Sequence, residues 1–255
     1  MVKDIVGGVH NSNPNELTVF NDKLYFSAAS TGPPDYYWNL MSYDGSEVKV
    51  VDGPGKKFTG YERRHVRHLT VFKDELYFGS DRDDYLQDCS ELYRMDKNEF
   101  ISGVKNFDNN CWTNAATNLT VYNDRLFFGV STIQSGRELW AYDGVNEPKL
   151  ISDIYGGVQS SNPAELTVFN NNLYFRATTF PGRDYLYRYS DLIDHTSLVF
   201  RDNTKQMDYH PSSFIEFAGR LYFRGTSLND DQKYGNELWV YDGINAPHLA
   251  ADIKP

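Results

Sequence analysis

The stretch Leu17-Thr18-Val19-Phe20-Asn21-Asp22-Lys23-Leu24-Tyr25-Phe26 decides the fold, because the chain contains five copies of it. The copies begin at Leu17, Leu69, Leu119, Leu166 and, more loosely, Phe214, so the start-to-start spacings are 52, 50, 47 and 48 residues. A fixed period of about this length is typical of propellers, solenoids and repeat arrays. Residues 1–255 are therefore expected to form a single domain of five similar units.

Each repeat has the pattern of four short strands separated by turns. In the fourth repeat, residues 166–169 and 173–177 are apolar segments joined by Asn170-Asn171-Asn172. In the third, residues 139–142 end at Asp143-Gly144, and residues 149–154 follow. Asn-Asp and Asp-Gly pairs readily adopt the positive φ angles of tight hairpins. We predict an all-β, five-bladed β-propeller with four antiparallel strands per blade and aromatic side chains packed between the blades.

A second phrase follows the first in each repeat and is clearest at residues 138–144 and 237–243, Glu-Leu-Trp-x-Tyr-Asp-Gly. It resembles the ELWxxDGT repeat of bacterial secreted and surface proteins, and the resemblance covers essentially the whole chain. The final Thr of that motif is replaced by Ser46, Val145 and Ile244. The resemblance implies an extracellular, propeller-like domain, and it implies no particular reaction.

The sequence of the outermost strand occurs once more in the chain than the sequence of the innermost strand. Residues 2–9 nearly repeat residues 151–158, and Asp252-Ile253 carries the same Asp-Ile signature. Either the N-terminal segment seals the ring against the last blade, or the chain was cut from a longer array. The prediction is that both termini close the ring.

Charge and cysteine placement limit the partners and the compartment. Lys and Arg total 25 against 35 Asp and Glu, and the net charge of −10 disfavours nucleic acid. No apolar run is long enough for membrane insertion, and no signal peptide follows Met1. Cys89 and Cys111 fall in loops on the same face of a propeller, which predicts a disulfide worth about 3 kcal/mol. Two separate thiols are the alternative, while a disulfide favours an extracellular or cell-surface location.

One face of the propeller carries the loops between the second and third strands and the connections between blades. We predict that this face binds the ligand, because binding residues concentrate on loops held by a rigid scaffold. Its aromatic residues lie outside the repeat pattern. Stacking rings beside carboxylates suit a carbohydrate, although these rings could instead pack the loops. The predicted ligand-binding residues are Tyr36, Tyr37, Trp38, Tyr61, Tyr85, Trp112, Asp184, Tyr209 and Tyr234.

Three functions are compatible with this pattern. The first is a lectin-like module that binds a glycan or glycoprotein surface, and the second is an adhesion or scaffold module that binds a protein. The third is a glycosidase, for which Glu16 and Glu165 lie at the channel end of the innermost strand and align with His68, Asn118 and Ser213. No catalytic residue and no cofactor are assigned; no loop has the spacing of an EF-hand, and bound calcium stays open.

Overall fold

The structure is a computed structural model that describes residues 1–30, 38–51, 65–81, 92–105, 107, 115–180, 183–199, 210–227 and 234–251. Within these residues, five sheets contain four antiparallel strands each, and every sheet follows chain order. Each sheet is one blade, and the first strand of each blade is its innermost. The prediction of an all-β, five-bladed β-propeller is confirmed.

The strand bounds follow the repeat. Blades 1 and 2 contain β1 (Asn15–Phe20), β2 (Lys23–Ala29), β3 (Trp38–Tyr43), β4 (Val48–Val50), β5 (His65–Phe72), β6 (Glu75–Asp81), β7 (Leu92–Met95) and β8 (Ile101–Lys105). Blades 3 and 4 contain β9 (Thr117–Tyr122), β10 (Arg125–Thr132), β11 (Gly136–Tyr142), β12 (Lys149–Ser152), β13 (Ala164–Phe169), β14 (Asn172–Phe180), β15 (Arg183–Ser190) and β16 (His195–Leu198). Blade 5 contains β17 (Ser212–Phe217), β18 (Arg220–Ser227), β19 (Tyr234–Tyr241) and β20 (His248–Ala251).

The first hairpin of each blade turns through two residues with positive φ. Asn21 and Asp22 have φ angles of 47° and 60°, and Asn123 and Asp124 have 44° and 59°. Positive φ at both central residues is the geometry of a two-residue hairpin turn that matches the twist of the strands. This explains why Asn and Asp recur at these positions.

The Asp-Gly hairpin of the second phrase is an Asx turn. Asp143 Oδ1 accepts hydrogen bonds from the backbone N–H groups of Val145 (2.8 Å) and Asn146 (2.7 Å). Asp242 makes the same pair of bonds to the two equivalent N–H groups. The Asn146 side chain and these two N–H groups hold the pKa of Asp143 at about 2.

Aromatic side chains form the core between blades. Tyr77 packs against Phe72 of its own blade at 5.7 Å between ring centroids and against Tyr142 of the next blade at 6.1 Å. The same arrangement brings Tyr174 to 5.8 Å from Tyr241. Because Tyr77 and Tyr174 are almost completely buried, each junction gains the burial of large rings as well as their edge contacts.

The innermost strands are also joined by a repeated hydrogen bond. The hydroxyl of Thr18 donates to the carbonyl oxygen of Leu69 at 3.1 Å, and that of Thr70 donates to Leu119 at 3.2 Å. Thr120 continues the series into the fourth blade. The Leu-Thr pair of the repeat therefore serves two neighbouring blades at once.

One side of blade 5 is exposed to solvent, although the same side of blades 1–4 is buried against the next blade. Phe217 is 68% exposed, whereas its counterpart Phe20 is 4% exposed. Leu238 is 37% exposed, whereas Leu139 is fully buried. The packing that covers these positions in blades 1–4 is therefore incomplete at blade 5.

The N-terminal segment has the conformation of a blade connection. The Gly7 N–H donates to Asp4 Oδ1 at 3.0 Å, as the Gly157 N–H donates to Asp153 Oδ2 at 2.8 Å. Ile5 packs against an apolar cluster of blade 1. The N-terminal segment therefore enters blade 1 in the same conformation as the connection between blades 3 and 4 enters blade 4. Residues 252–255 lie outside the described residues, and closure of the ring by both termini stays a prediction.

Candidate functional site

The residue before each inner-strand phrase has a left-handed backbone, although none of these residues is glycine. The φ angles lie between 57° and 59° at Glu16, His68, Asn118, Glu165 and Ser213. In every blade, the pairing of the first two strands shifts register at this point, which makes it a β-bulge. Such backbone costs about 1–3 kcal/mol per residue and is concentrated at functional sites. Five equal bulges therefore mark this level of the propeller as a candidate site.

These five residues occupy equivalent positions on the five innermost strands. Each lies near the N-terminal end of its strand, as the second residue of β1, β9, β13 and β17 and the fourth residue of β5. We call the set Glu16, His68, Asn118, Glu165 and Ser213 the mouth ring. The backbone is the same in all five blades, whereas the side chains are two carboxylates, an imidazole, an amide and a hydroxyl. A symmetric scaffold thus presents one asymmetric set of polar groups.

Two members of the mouth ring form hydrogen bonds with the chain at or just before the first strand of the following blade. Glu165 Oε2 accepts a hydrogen bond from the Ser213 N–H at 3.0 Å. Asn118 Nδ2 donates to the carbonyl oxygen of Pro163 at 3.2 Å. These bonds fix the mouth in blades 3–5, so the polar groups there are held in place before any ligand arrives.

His68 lies in a charged and partly buried environment. Burial lowers the pKa of its imidazole; the Glu16 carboxylate opposes this effect, while the positive charges of Arg67 and Arg137 add to it. The lowered pKa favours the neutral ring at neutral pH. A neutral imidazole can donate one hydrogen bond and accept another.

Arg137, at the second position of β11, holds the connection that precedes blade 3. Its Nη1 donates to Thr117 Oγ1 at 2.8 Å and to the carbonyl oxygens of Gly129 (3.2 Å) and Ala115 (3.3 Å). Such a guanidinium, with several acceptors in fixed directions, rigidifies the backbone beside the mouth ring.

Asp184, a predicted ligand-binding residue, lies on the loop face near the start of β15. Its Oδ1 accepts from the Thr178 hydroxyl at 2.5 Å, and its Oδ2 accepts from Arg176 Nη1 at 3.1 Å. His210 Nδ1 is 3.8 Å from the same Oδ2. The carboxylate is therefore already engaged, and only 22% of its side chain is exposed.

The structure describes few of the other predicted site residues. Trp38 begins β3 and is half-buried, and Tyr234 begins β19. The remaining positions lie outside the described residues, so the aromatic surface and the disulfide stay predictions. These positions are Tyr36, Tyr37, Tyr61, Tyr85, Cys89, Trp112, Tyr209 and Cys111.

The glutamate of the second phrase has a structural role that the sequence did not reveal. Glu138 is fully buried, and its carboxylate accepts from the Ser161 N–H at 2.7 Å, the Ser161 hydroxyl at 2.5 Å and the Ile154 N–H at 2.9 Å. Burial raises the pKa of Glu138, and the bonds from Ser161 and Ile154 oppose that effect. The residue attaches the connection between blades 3 and 4 to blade 3. Its fixed place before Leu-Trp was the available signal.

The described residues contain no group of three or more His, Cys, Asp or Glu side chains that could hold a metal ion. In the same part of the chain, no helix is long and apolar enough to cross a membrane.

Comparison with known proteins shows the fold and no family. No family model matches the chain, and no curated protein matches it. Among solved structures, it is similar to a puromycin-hydrolysing peptidase of Mycobacterium tuberculosis (TM-score 0.58, 9% identity, 94% of this chain and 39% of that one). It is also similar to TolB from Acinetobacter baumannii, with a TM-score of 0.50 and 12% identity over 91% of this chain and 53% of that one. The TM-score with Trypanosoma rangeli sialidase is 0.45, with 14% identity over 97% of this chain and 49% of that one. The chain spans between 39% and 53% of the lengths of these structures. At these identities the likeness concerns the propeller fold alone, and the resemblance to the ELWxxDGT repeat stays a prediction.

Proposed function

We propose that this protein is a lectin-like module that binds carbohydrate at the mouth ring, on the loop face of the propeller. One observation supports the proposal above the others. Five backbone positions of the same conformation present five side chains of four polar types, one on each innermost strand. Repetition builds the scaffold, and variation at this one level creates a single site per chain rather than five weak ones.

The chemistry of the mouth ring suits a ligand with several hydroxyl groups. The Glu16 carboxylate can accept hydrogen bonds from vicinal hydroxyls, and neutral His68 can donate to one hydroxyl and accept from another. Trp38 and the predicted loop aromatics would supply flat apolar surface for a sugar ring. The partner is then a glycan or glycoprotein, and the setting is extracellular or at a cell surface.

Glycan-array binding by the full chain tests the proposal, with Glu16→Gln and His68→Ala as site variants. The matched control is Glu47→Gln, which removes the same charge from an exposed hairpin. Selective binding that falls at least tenfold in both site variants and is unchanged in the control is the expected result. A blank array, or equal binding by all variants, would refute a glycan site at the mouth ring.

A protein-binding adhesion module is the second candidate. It is favoured by the exposed side of blade 5, where Phe217 and Leu238 present apolar surface to solvent. Light scattering and cross-linking of cell-surface extracts with wild type and Phe217→Ser would separate this function from glycan binding, because the mouth ring is untouched by that substitution.

A further inference from the structure

The side of blade 5 that the other blades pack against their neighbour is an exposed apolar surface. We call Ile215, Phe217 and Leu238 the blade-5 face, and these residues are 63%, 68% and 37% exposed. Ile215 has the register position of Thr18, whose hydroxyl binds the innermost strand of the next blade. Blade 5 therefore presents apolar surface where the repeat has a polar group, and such a surface is typical of a protein contact.

Blade 1 has an exposed surface on its opposite side, where a preceding blade would pack. Leu17 is 62% exposed, whereas Leu69, which opens the same phrase in blade 2, is 8% exposed and packs in a cluster with blade 1. Tyr43 is half-buried, whereas its counterpart Tyr142 is 6% exposed and contacts Tyr77 of the preceding blade. We call Leu17 and Tyr43 the blade-1 face. The two faces are thus the two halves of the interface that joins successive blades.

The charges beside the two faces are complementary. At the start of the second strand of blade 1, Lys23 binds Glu99 in the hairpin between the third and fourth strands of blade 2, at 2.7 Å. Arg125 of blade 3 pairs in the same way with the corresponding hairpin of blade 4. Arg220 is the exposed counterpart in blade 5, and the corresponding hairpin of blade 1, residues 44–47, contains two carboxylates. A basic group and an acidic hairpin therefore accompany the apolar faces.

We propose that a second copy of this chain packs its blade-1 face on the blade-5 face and so repeats the internal blade interface between two molecules. Both faces are exposed in the same chain, so neither covers the other within it. Because each copy contributes a different face, the contact is heterologous, and a pair of copies retains one free face of each kind. A face of four strands measures about 20 Å on each side, so the contact buries on the order of 800 Å² in total and should be weak. This contact is independent of glycan binding at the mouth ring.

Analytical ultracentrifugation of the full chain tests the proposal. An interface of this size predicts a dissociation constant on the order of 10 µM, so wild type should sediment as one chain at about 1 µM and as dimers or longer assemblies at about 200 µM. Phe217→Asp and Leu17→Asp each place a charge on one face and should raise the dissociation constant at least about tenfold. The matched control is Val158→Asp, because Val158 is 72% exposed on the connection between blades 3 and 4, and it should associate as wild type does.

A mixture of the two face variants distinguishes this contact from other arrangements. Phe217→Asp retains its blade-1 face and Leu17→Asp retains its blade-5 face, so the mixture should form one-to-one dimers with the affinity of wild type. Both positions are exposed, and the substitutions should leave the circular dichroism spectrum unchanged.

A wild type that stays monomeric at every concentration would overturn the proposal and favour closure of the ring within one chain. Undiminished association of either face variant alone, a mixture that stays monomeric, or an equal loss of association in Val158→Asp would overturn it as well.

Discussion

Replacement of Glu138 by alanine should destabilise the protein more than removal of any exposed carboxylate. The substitution leaves the N–H groups of Ser161 and Ile154 without the acceptor that they have at 2.7 and 2.9 Å. An unsatisfied buried donor costs about 1–3 kcal/mol, so two such donors and the lost side-chain volume predict a loss of about 3–5 kcal/mol. Urea unfolding followed by tryptophan fluorescence measures the change, with Glu47→Ala as a control that should stay within about 0.5 kcal/mol.

The same carboxyl predicts a pH dependence. Because the folded pKa of Glu138 is raised above the unfolded value, the folded state binds the proton more tightly. Its contribution is present below the ordinary glutamate pKa and is lost as the pH rises through the raised folded value. The difference in unfolding free energy between wild type and Glu138→Gln should therefore change with pH in that window. A loss below about 1 kcal/mol in Glu138→Ala, or a midpoint shift equal to that of Glu47→Ala, would contradict the structural role.

Three further substitutions test the fold. Gly79→Ala should lower the free energy of unfolding in urea by about 1–3 kcal/mol, because a Cβ there would lie 2.0 Å from the carbonyl oxygen of Ala116 in the connection to blade 3. Gly235→Ala is its control and should be near neutral, since the nearest atom to a Cβ there is 4.0 Å away. Asp143→Asn should remove a pH-dependent part of the stability that is present above the usual aspartate pKa and lost as the pH falls toward about 2; identical acid-unfolding curves for the two proteins would exclude this. Phe217→Ala should cost less than about 1 kcal/mol, whereas Phe72→Ala should cost about 3–5 kcal/mol by differential scanning calorimetry, since the first ring is 68% exposed and the second 4%; equal costs would show that blade 5 is covered in solution.

The repeat predicted the blades well because it records packing and turn chemistry directly. Thr18 and Tyr77 make contacts that recur in several blades, so the same residue types recur at those positions in most copies. The bulge at Glu16 and His68 was not predictable, because the left-handed backbone there is imposed by strand pairing and leaves no glycine in the sequence. Exposure at Phe217 was equally hidden, since its letter matches that of the buried Phe20.

The candidate site was predicted only as a face. Sequence patterning located the loop face and the alignment of Glu16 with Glu165, because both follow from the position of a residue in the repeat. It gave no indication that Asp184 is engaged by Thr178 and Arg176, since those partners are set by register across two strands. Side-chain partners of this kind depend on geometry that single-residue patterns do not encode.

Aromatic contacts between successive blades from blade 2 to blade 5 make the molecule behave as a short linear array with nearest-neighbour coupling. Tyr77 packs blade 2 against blade 3 and Tyr174 packs blade 4 against blade 5, whereas Phe217, on the innermost strand of blade 5, is exposed to solvent. A terminal unit with one well-packed neighbour has less coupling energy than an internal one. Partial unfolding should therefore begin by fraying at blade 5, with amide hydrogens of β17–β20 exchanging before those of β9–β12.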